Sequence, residues 1–157
     1  QHSIRNGLWG LRDAGCAEDD IILVHDGVRP LVAERIITEN IEKCRKYGYA
    51  ITGMICKEAI MQKVDDCVKN IDIPRERLVR TQTPHTYPLG TLLKAHAEAD
   101  AKGIDGTVAS CTLMAELGVD NQHLVMGSEK NGLKLTQTED VELFKALKHT
   151  TKDEWLK

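Results

Sequence analysis

The sequence predicts an α/β fold, with helices covering a mainly parallel sheet and a two-stranded arm projecting from it. Three observations lead there. Ile21-Ile22-Leu23-Val24 is a short, largely β-branched run without polar alternation, as in a strand covered on both faces of a parallel sheet. A helical stretch and then a second apolar run follow it, giving a βαβ unit whose crossover should be right-handed. Farther on, extended segments at 59–64 and 77–81 bracket a polar stretch around Asp65-Asp66 and Pro74, as the strands of a hairpin arm would.

The elements follow in order. Ile4, Leu8 and Leu11 have helical spacing, with Ser3 placed as N-cap and Gly15 as stop, and Trp9 on this helix should cover core. Acidic Glu18-Asp19-Asp20 turns the chain into the first strand. Beyond Pro30, Ile36, Ile37, Ile41 and Cys44 mark a helix over 32–47 closed by Gly48, and 49–56 reads as the next strand. The arm occupies about 57–81. Tyr87-Pro88 starts a helix that runs through Leu92, Leu93, Ala95 and His96 to Ala101, and Gly103 ends it. A short helix over 110–117 stops at Gly118, and short strands are expected at 124–126 and 133–136. A helix over 139–148 should turn Val141, Leu143, Phe144 and Leu147 inward. The charged run 148–157 reads as a solvated tail or fraying helix that Trp155 and Leu156 could dock. No repeat, low-complexity tract or linker interrupts 1–157, so a single domain is expected.

Composition narrows the function. With 41% hydrophobic and 29% charged residues, the chain resembles a soluble globular protein. At 4% aromatic residues, the core must be built from Ile, Leu, Val, Ala and Met. A formal charge of −3 supplies no general field for nucleic acid or an anionic membrane, so any anionic ligand must be held by locally placed Lys and Arg. Five scattered cysteines without a C-x-x-C pair suit reduced thiols in a cytoplasmic protein, with Cys56 and Cys111 packed rather than nucleophilic. The histidines His25, His85, His96, His123 and His149 lack metal-ligand spacing with each other or with the cysteines, which argues against zinc. No apolar run is long enough to cross a bilayer, and no signal peptide is evident. The chain starts at Gln1 and enters a helix at once, which suggests a piece of a longer protein.

Three constellations could carry chemistry. In Val24-His25-Asp26-Gly27-Val28-Arg29-Pro30, a strand end delivers a carboxylate for a metal or hydroxyl, a glycine permitting close approach, and a guanidinium for phosphate. An ordinary turn with a capped Asp and a surface ion pair explains those residues equally well. Arg80-Thr81-Gln82-Thr83-Pro84-His85 offers hydroxyls and an amide beside a Pro-fixed bend, or simply the polar end of a strand. Asn131-Gly132-Leu133-Lys134-Leu135-Thr136 places a Lys where it reaches a cleft or solvent.

In this order and spacing, the three resemble the cytidylyltransferases that make CDP-methylerythritol, together with their relatives that make CDP-ribitol. Ser3-Ile4 with Gly7-Leu8, residues 23–30, Arg75, Gln82-Thr83-Pro84, Asn131 with Lys134 and Thr136, and Glu139-Asp140 carry the resemblance across essentially the whole chain. It implies a Rossmann-like three-layer α/β/α nucleotidyltransferase fold, here truncated, with the arm projecting from it. The family's N-terminal glycine-rich loop, with its following Arg and Lys that hold the CTP triphosphate, has no counterpart. By analogy, roughly the first third of the family domain lies outside the chain.

The implied reaction is attack of a polyol phosphate on the α-phosphorus of CTP, with release of pyrophosphate, assisted by Mg²⁺. The resemblance implies that Ser3 and the Gly27 backbone lie near the cytidine. Asp26 would stand where nucleotide and polyol meet, close to the metal, and Arg29 and Thr83 would bind the second substrate. Lys134 would stabilise charge on the reacting phosphates, so Asp26 and Lys134 are the catalytic pair. Arg75, in an arm that embraces a second subunit, would complete the partner's site in a homodimer. Thr107 is assigned to the second substrate too, within a segment, 107–111, that replaces a more acidic family motif.

Ala59 stands where the family has a Thr, and Gly132 is an extra residue before Lys134. These departures fall on the second-substrate side and tilt the choice between methylerythritol phosphate and ribitol phosphate toward the latter. Two other readings stay open: a non-catalytic dimerisation or substrate-binding piece of such an enzyme, and a related transferase using another nucleotide.

Overall fold

A computed structural model describes residues 1–149. The elements in chain order are α1 (His2–Asp13), β1 (Ile21–Val24), α2 (Glu34–Tyr47), β2 (Ala50–Ile55), β3 (Met61–Val64), β4 (Cys67–Asn70), β5 (Val79–Pro88), α3 (Leu89–Lys102), α4 (Ser110–Glu116), β6 (His123–Met126), α5 (Glu129–Gly132) and α6 (Thr138–His149), with a 3₁₀ turn at Arg75–Arg77 before β5. The main sheet has the order β1-β5-β2-β6, and β3-β4 form a separate hairpin.

The architecture is three-layer α/β/α, a Rossmann-like arrangement with a projecting arm. On one face of the sheet, Leu8 of α1 and Leu89, Leu92 and Ala95 of α3 pack with Tyr87 and Met114, against Ile22, Val24 and Ile51. On the other face, Ile36 and Cys44 of α2 pack with Ala50 and Val125 against Ile21. Neighbours Ile21 and Ile22 thus face opposite layers, so β1 is covered on both sides, as its unbroken apolar run predicts.

The expectation of a parallel sheet is corrected. β1 pairs antiparallel with β5, Ile21 opposite Pro88 through Val24 opposite His85. β2 also runs antiparallel to β5, and only β2 and β6 are parallel. β1 and β2 flank β5 rather than each other, and β1's side chains are half-buried, not buried. Residues 77–81, expected as the arm's second strand, instead lead into the long β5. The arm's true partner for β3 is β4, joined through Asp65, which adopts positive φ (52°) at the turn. A Pro within a polar segment reads as a strand end, yet β5 passes through it. Register with β2 jumps from Ile51–His85 to Thr52–Gln82, and this bulge accommodates Pro84, which has no N–H for the ladder.

A buried polar network satisfies the bulge. Thr52 Oγ1 donates to the Pro84 carbonyl (2.9 Å), Asn40 Nδ2 donates to Thr52 Oγ1 (2.9 Å), and Thr86 Oγ1 donates to Asn40 Oδ1 (3.2 Å). An unpaired carbonyl here would be penalised by about 1–3 kcal/mol. The network therefore fixes the strand that presents Gln82 and Thr83.

Smaller corrections concern helix ends and the C-terminal segment. Ser3 is not the cap of α1. The helix starts two residues earlier than that cap implies, at His2, and Gln1 stands at the N-cap, its side chain donating to the Ile104 carbonyl (3.1 Å) and accepting from Thr107. Residues 133–136 form no strand; the chain there is irregular, with Leu135 N–H bonded to the Val28 carbonyl (2.8 Å). On α6, Val141 and Leu143 are exposed, while Phe144 and Leu147 are half-buried, because a narrower stripe of the helix meets the body than its apolar residues suggest. Trp155 and Leu156 lie outside the described residues. Among the described residues, no helix is long and apolar enough to cross a membrane.

Candidate active site

The C-terminal end of β1, the bulged middle of β5 and the segment after α5 meet at one cleft of about 220 Å³. Asp26, Arg29, Thr81, Gln82, Thr83, His85, Ser110 and Lys134 provide its polar wall, and Ile4, Val24, Val108 and Ala109 its apolar one. Asp26 Oδ2 lies 3.0 Å from Arg29 Nε and 3.5 Å from Lys134 Nζ. Burial pushes this carboxyl upward, but the Arg29 hydrogen bond and the Lys134 charge outweigh it, so the net shift is downward. Two cations against one carboxylate leave the cleft suited to an anion.

Each side chain has a traceable support. The Asp26 N–H donates to Thr83 Oγ1 (3.0 Å), tying the turn after β1 to the β5 bulge. The His25 ring lies between two partners, Nδ1 at 3.0 Å from Thr83 Oγ1 and Nε2 at 3.0 Å from the Arg29 carbonyl. Arg29 Nη1 donates to the Gly132 carbonyl (2.7 Å), reaching the segment that carries Lys134. That segment is docked on β5 through Gln82, whose Oε1 accepts from Asn131 Nδ2 (2.9 Å) and whose Nε2 donates to the Ser128 carbonyl (3.0 Å). Asn131 Nδ2 also donates to the Thr83 carbonyl (3.0 Å). The fit is close: a Cβ at Gly127 would collide with Gln82 Oε1, and one at Gly132 would sit 2.7 Å from Gln82 Nε2. Gly132, an apparent insertion in the sequence, is thus the residue that lets this segment approach Gln82.

Of the residues singled out from sequence, Asp26, Arg29, Thr83 and Lys134 line the cleft. Gly27 is an exposed neighbour of Asp26, outside the lining. Ser3 is exposed in the first turn of α1, where its neighbour Ile4 meets the cleft instead. Thr107 lies behind the rim with its hydroxyl donated to Gln1 Oε1 (2.8 Å), while Val108, Ala109 and Ser110 line the cleft. Arg75 is on the arm, donating to the Lys57 carbonyl (3.3 Å) and lining a separate groove there.

Sequence reasoning missed the linking roles of His25, Gln82 and Asn131, and passed over His85 and Ser110 as lining residues. His85 is 2% exposed, and desolvation pushes its pKa down to about 4, against opposing contributions from the Gln82 main chain and the Asp26 charge. The period-two spacing of Thr81, Thr83 and His85 was the available signal. For Gln82 and Asn131, 49 positions apart, no local signal exists.

A single carboxylate can hold Mg²⁺ when substrate phosphates complete its shell. Asp26 Oδ2 is shared by two cations, while Oδ1 carries no hydrogen bond within the described residues. Asp26 thus offers one ligand, and among the described residues no three His, Cys, Asp or Glu side chains group to hold an ion, so Mg²⁺ there would depend on the substrate phosphates for the rest of its shell.

Comparison with known proteins gives the following matches. The IspD family model, 2-C-methyl-D-erythritol 4-phosphate cytidylyltransferase, matches residues 1–149. Ribitol-5-phosphate cytidylyltransferase of Lacticaseibacillus paracasei is 42% identical, covering 93% of this chain and 62% of that protein. 2-C-methyl-D-erythritol 4-phosphate cytidylyltransferase of Clostridium acetobutylicum is 36% identical, over 90% of this chain and 58% of that protein. The chain thus spans about three fifths of the length of these relatives. Among solved structures, 2-C-methyl-D-erythritol 4-phosphate cytidylyltransferase from Thermus thermophilus superposes with TM-score 0.74 at 26% identity, covering 91% of this chain and 68% of that one.

Proposed function

The chain belongs to the 2-C-methyl-D-erythritol 4-phosphate cytidylyltransferase family, and from that membership we propose that it forms the polyol-phosphate side of a site transferring CMP from CTP to ribitol 5-phosphate or methylerythritol 4-phosphate. The observation that carries this reading is the convergence of Asp26, Arg29, Thr83 and Lys134 on one cleft. Its volume, about 220 Å³, is below the roughly 300–1,000 Å³ of pockets that take a drug-sized ligand, and so suits one small phosphorylated polyol. The 42% identity to one ribitol-5-phosphate enzyme leans the choice toward ribitol 5-phosphate, while other relatives of both kinds lie at 34–37%.

In the reaction, an oxygen of the polyol phosphate forms a bond to the α-phosphorus of CTP. The bond from that phosphorus to the bridging oxygen breaks, and pyrophosphate leaves. The nucleophile is already anionic, so the chain's task is to position anions and reduce their repulsion. Lys134, half-exposed and held at Asp26, faces the reacting phosphates; Arg29 offers the phosphate its remaining Nη2 donors. Mg²⁺, held by Asp26 Oδ1 and the substrates, would supply further neutralisation of the phosphates. Gly27 and Ser3 are assigned to the nucleotide side, and Thr107 supports the rim.

The arm supports a homodimer. Its hairpin stands apart from the main sheet and exposes Met61 and Val68, at 48% and 65%, with Ile73 exposed at 50% just beyond it, and an isolated two-stranded sheet is marginal in water. In such a homodimer Arg75, on the arm, is assigned to the partner's site, the role the family resemblance implies. Reduced cysteines at all five positions suit a cytoplasmic location.

The test is pyrophosphate release from CTP and Mg²⁺ with each polyol phosphate, paired with titration of each polyol phosphate alone. Turnover supports the full proposal. Polyol-phosphate binding without turnover assigns the chain to substrate binding only, and neither binding nor turnover refutes it.

A further inference from the structure

One wall of the cleft, Val108 to Ser110, follows a loop with little support of its own. Gly103 and Gly106 both adopt positive φ (66° and 84°), so the chain between α3 and α4 turns twice in quick succession. Val108 lines the cleft yet is 90% exposed. Between Asp105 and Val108, the hydrogen bonds to another element among the described residues both go to Gln1. Its Oε1 accepts from the Thr107 N–H (3.1 Å) and from Thr107 Oγ1 (2.8 Å). Its Nε2 donates to the Ile104 carbonyl (3.1 Å), so a single amide grips the loop at both ends of one turn. A backbone N–H can only donate and a carbonyl only accept, which fixes the way this amide faces. His2 and Asp105 meet between the same two segments at 3.5 Å, but both side chains are exposed and such contacts contribute little.

We infer that Gln1 is a positioning residue for the cleft, latching the rim so that Val108, Ala109 and Ser110 form its wall before a ligand arrives. Thr107 is the other half of the latch. It gives both its N–H and its hydroxyl hydrogen to Gln1, so it has no donor left for a ligand. Ser110 Oγ is buried and has no hydrogen-bond partner among the described residues, so what it offers a ligand depends on where the rim sits. Gln1 is also the N-cap of α1, whose first turn places Ile4 in the same apolar wall as Val108 and Ala109. The latch therefore sets the spacing between helix and rim. Without it the rim samples other positions, and affinity falls with the fraction of chains in which the wall is formed. The effect on affinity rests on reading the cleft as a polyol-phosphate site; the latch itself does not.

Two measurements on the whole protein test it. Hydrogen exchange should find the Thr107 amide protected in the parent and freely exchanging in Gln1→Met, which keeps the stem without the amide. The amides of α1 beyond its first turn should stay as in the parent. A Thr107 amide that exchanges alike in both proteins, or loss of protection throughout α1, overturns the inference whatever the chain binds. In the second, ribitol 5-phosphate and methylerythritol 4-phosphate are titrated into the parent and the variants. Gln1→Met should weaken the better ligand about tenfold, the size of one net hydrogen bond. Thr107→Val removes one of the three bonds and should weaken it less, and Thr107→Ser, which restores the hydroxyl donor, should recover most of that loss. The double variant Gln1→Met with Thr107→Val should lose no more than Gln1→Met alone, because the bonds are shared. Recovery through one hydroxyl together with a shared loss is beyond a merely structural role. Unchanged affinity in Gln1→Met, additive losses, or no recovery in Thr107→Ser overturn the inference while leaving the functional reading intact. Failure of the parent to bind either polyol phosphate overturns both.

Discussion

Replacing Arg29 with Lys should destabilise the free chain as well as impair ligand binding. If Arg29 were only a phosphate contact, a second cation at the same place would leave the unliganded fold untouched. The structure gives Arg29 another task. Its side chain, 13% exposed, donates through Nε to Asp26 Oδ2 at 3.0 Å and through Nη1 to the Gly132 carbonyl at 2.7 Å. One planar fork thus joins the turn after β1 to the segment carrying Lys134. A lysine ammonium on a flexible stem can replace one of these bonds, not both in that geometry. Losing a hydrogen bond to a charged group is worth about 1.5–3 kcal/mol. Asp26 is one-third exposed and keeps Lys134 at 3.5 Å, so solvent and the second cation reduce the loss to about 1–2 kcal/mol. For a chain of this length that corresponds to a fall of roughly 2–8 °C in Tm. Thermal and urea unfolding of the unliganded Arg29→Lys chain provide the measurement, with Lys134→Met as the comparison. Lys134 is half-exposed and, among the described residues, makes one longer ion pair, so its loss should move the midpoint far less. An unchanged midpoint for Arg29→Lys, or a larger fall for Lys134→Met, would refute the clamp.

Two further predictions concern packing and pH. Gly127→Ala drives a methyl into the Gln82 amide and should lower the urea midpoint by the equivalent of about 1–3 kcal/mol, whereas Gly7→Ala, in α1 with open space around it, should raise stability by about 0.5–1 kcal/mol. Equal effects at the two glycines would contradict the tight seat of the loop on Gln82. Asp26 titrates below its ordinary 3.8 in the folded chain, so its pairing stabilises above about pH 4 and is lost as pH falls through the lower folded value; the stability gap between parent and Asp26→Asn should close in acid. His85 falls from 6.5 to about 4, so the unfolded chain takes up its proton first, and stability should decline from pH 6.5 toward 4 in the parent but less in His85→Gln. Unfolding midpoints across pH 3–8 check both, and a decline unaltered in His85→Gln refutes the buried neutral ring.

How much could be read in the chain depended on whether a signal was local. The helix over Glu34–Tyr47, the stop at Gly103 and the two-sided cover of Ile21–Val24 follow from residues within one or two turns of each other. The antiparallel pairing of β1 did not. It depends on β5 returning between β1 and β2, and Gln82-Thr83-Pro84 has the local chemistry of a loop. Only the tertiary network of Asn40, Thr52 and Thr86 makes a bulged strand the lower-energy state there.

The candidate site divides the same way. Asp26 and Arg29 were legible because both follow a strand end, where open α/β sheets place ligands. Lys134 was found by resemblance, yet the expected strand to carry it is absent, and its placement depends on distant contacts: Leu135 N–H on the Val28 carbonyl, Arg29 on Gly132, and Asn131 on Gln82. None of those partners is a sequence neighbour of Lys134 except through the loop itself. The consequence is that Asp26, Arg29 and Lys134 form one mechanical unit. Arg29 bonds the carboxylate that Lys134 approaches and the backbone that carries Lys134, so altering Arg29 should shift Lys134 as well. Substitutions at these two positions should therefore be non-additive in ligand affinity, the double variant losing less than the two single losses combined. Additive losses would separate the two roles and leave Arg29 as an independent phosphate contact.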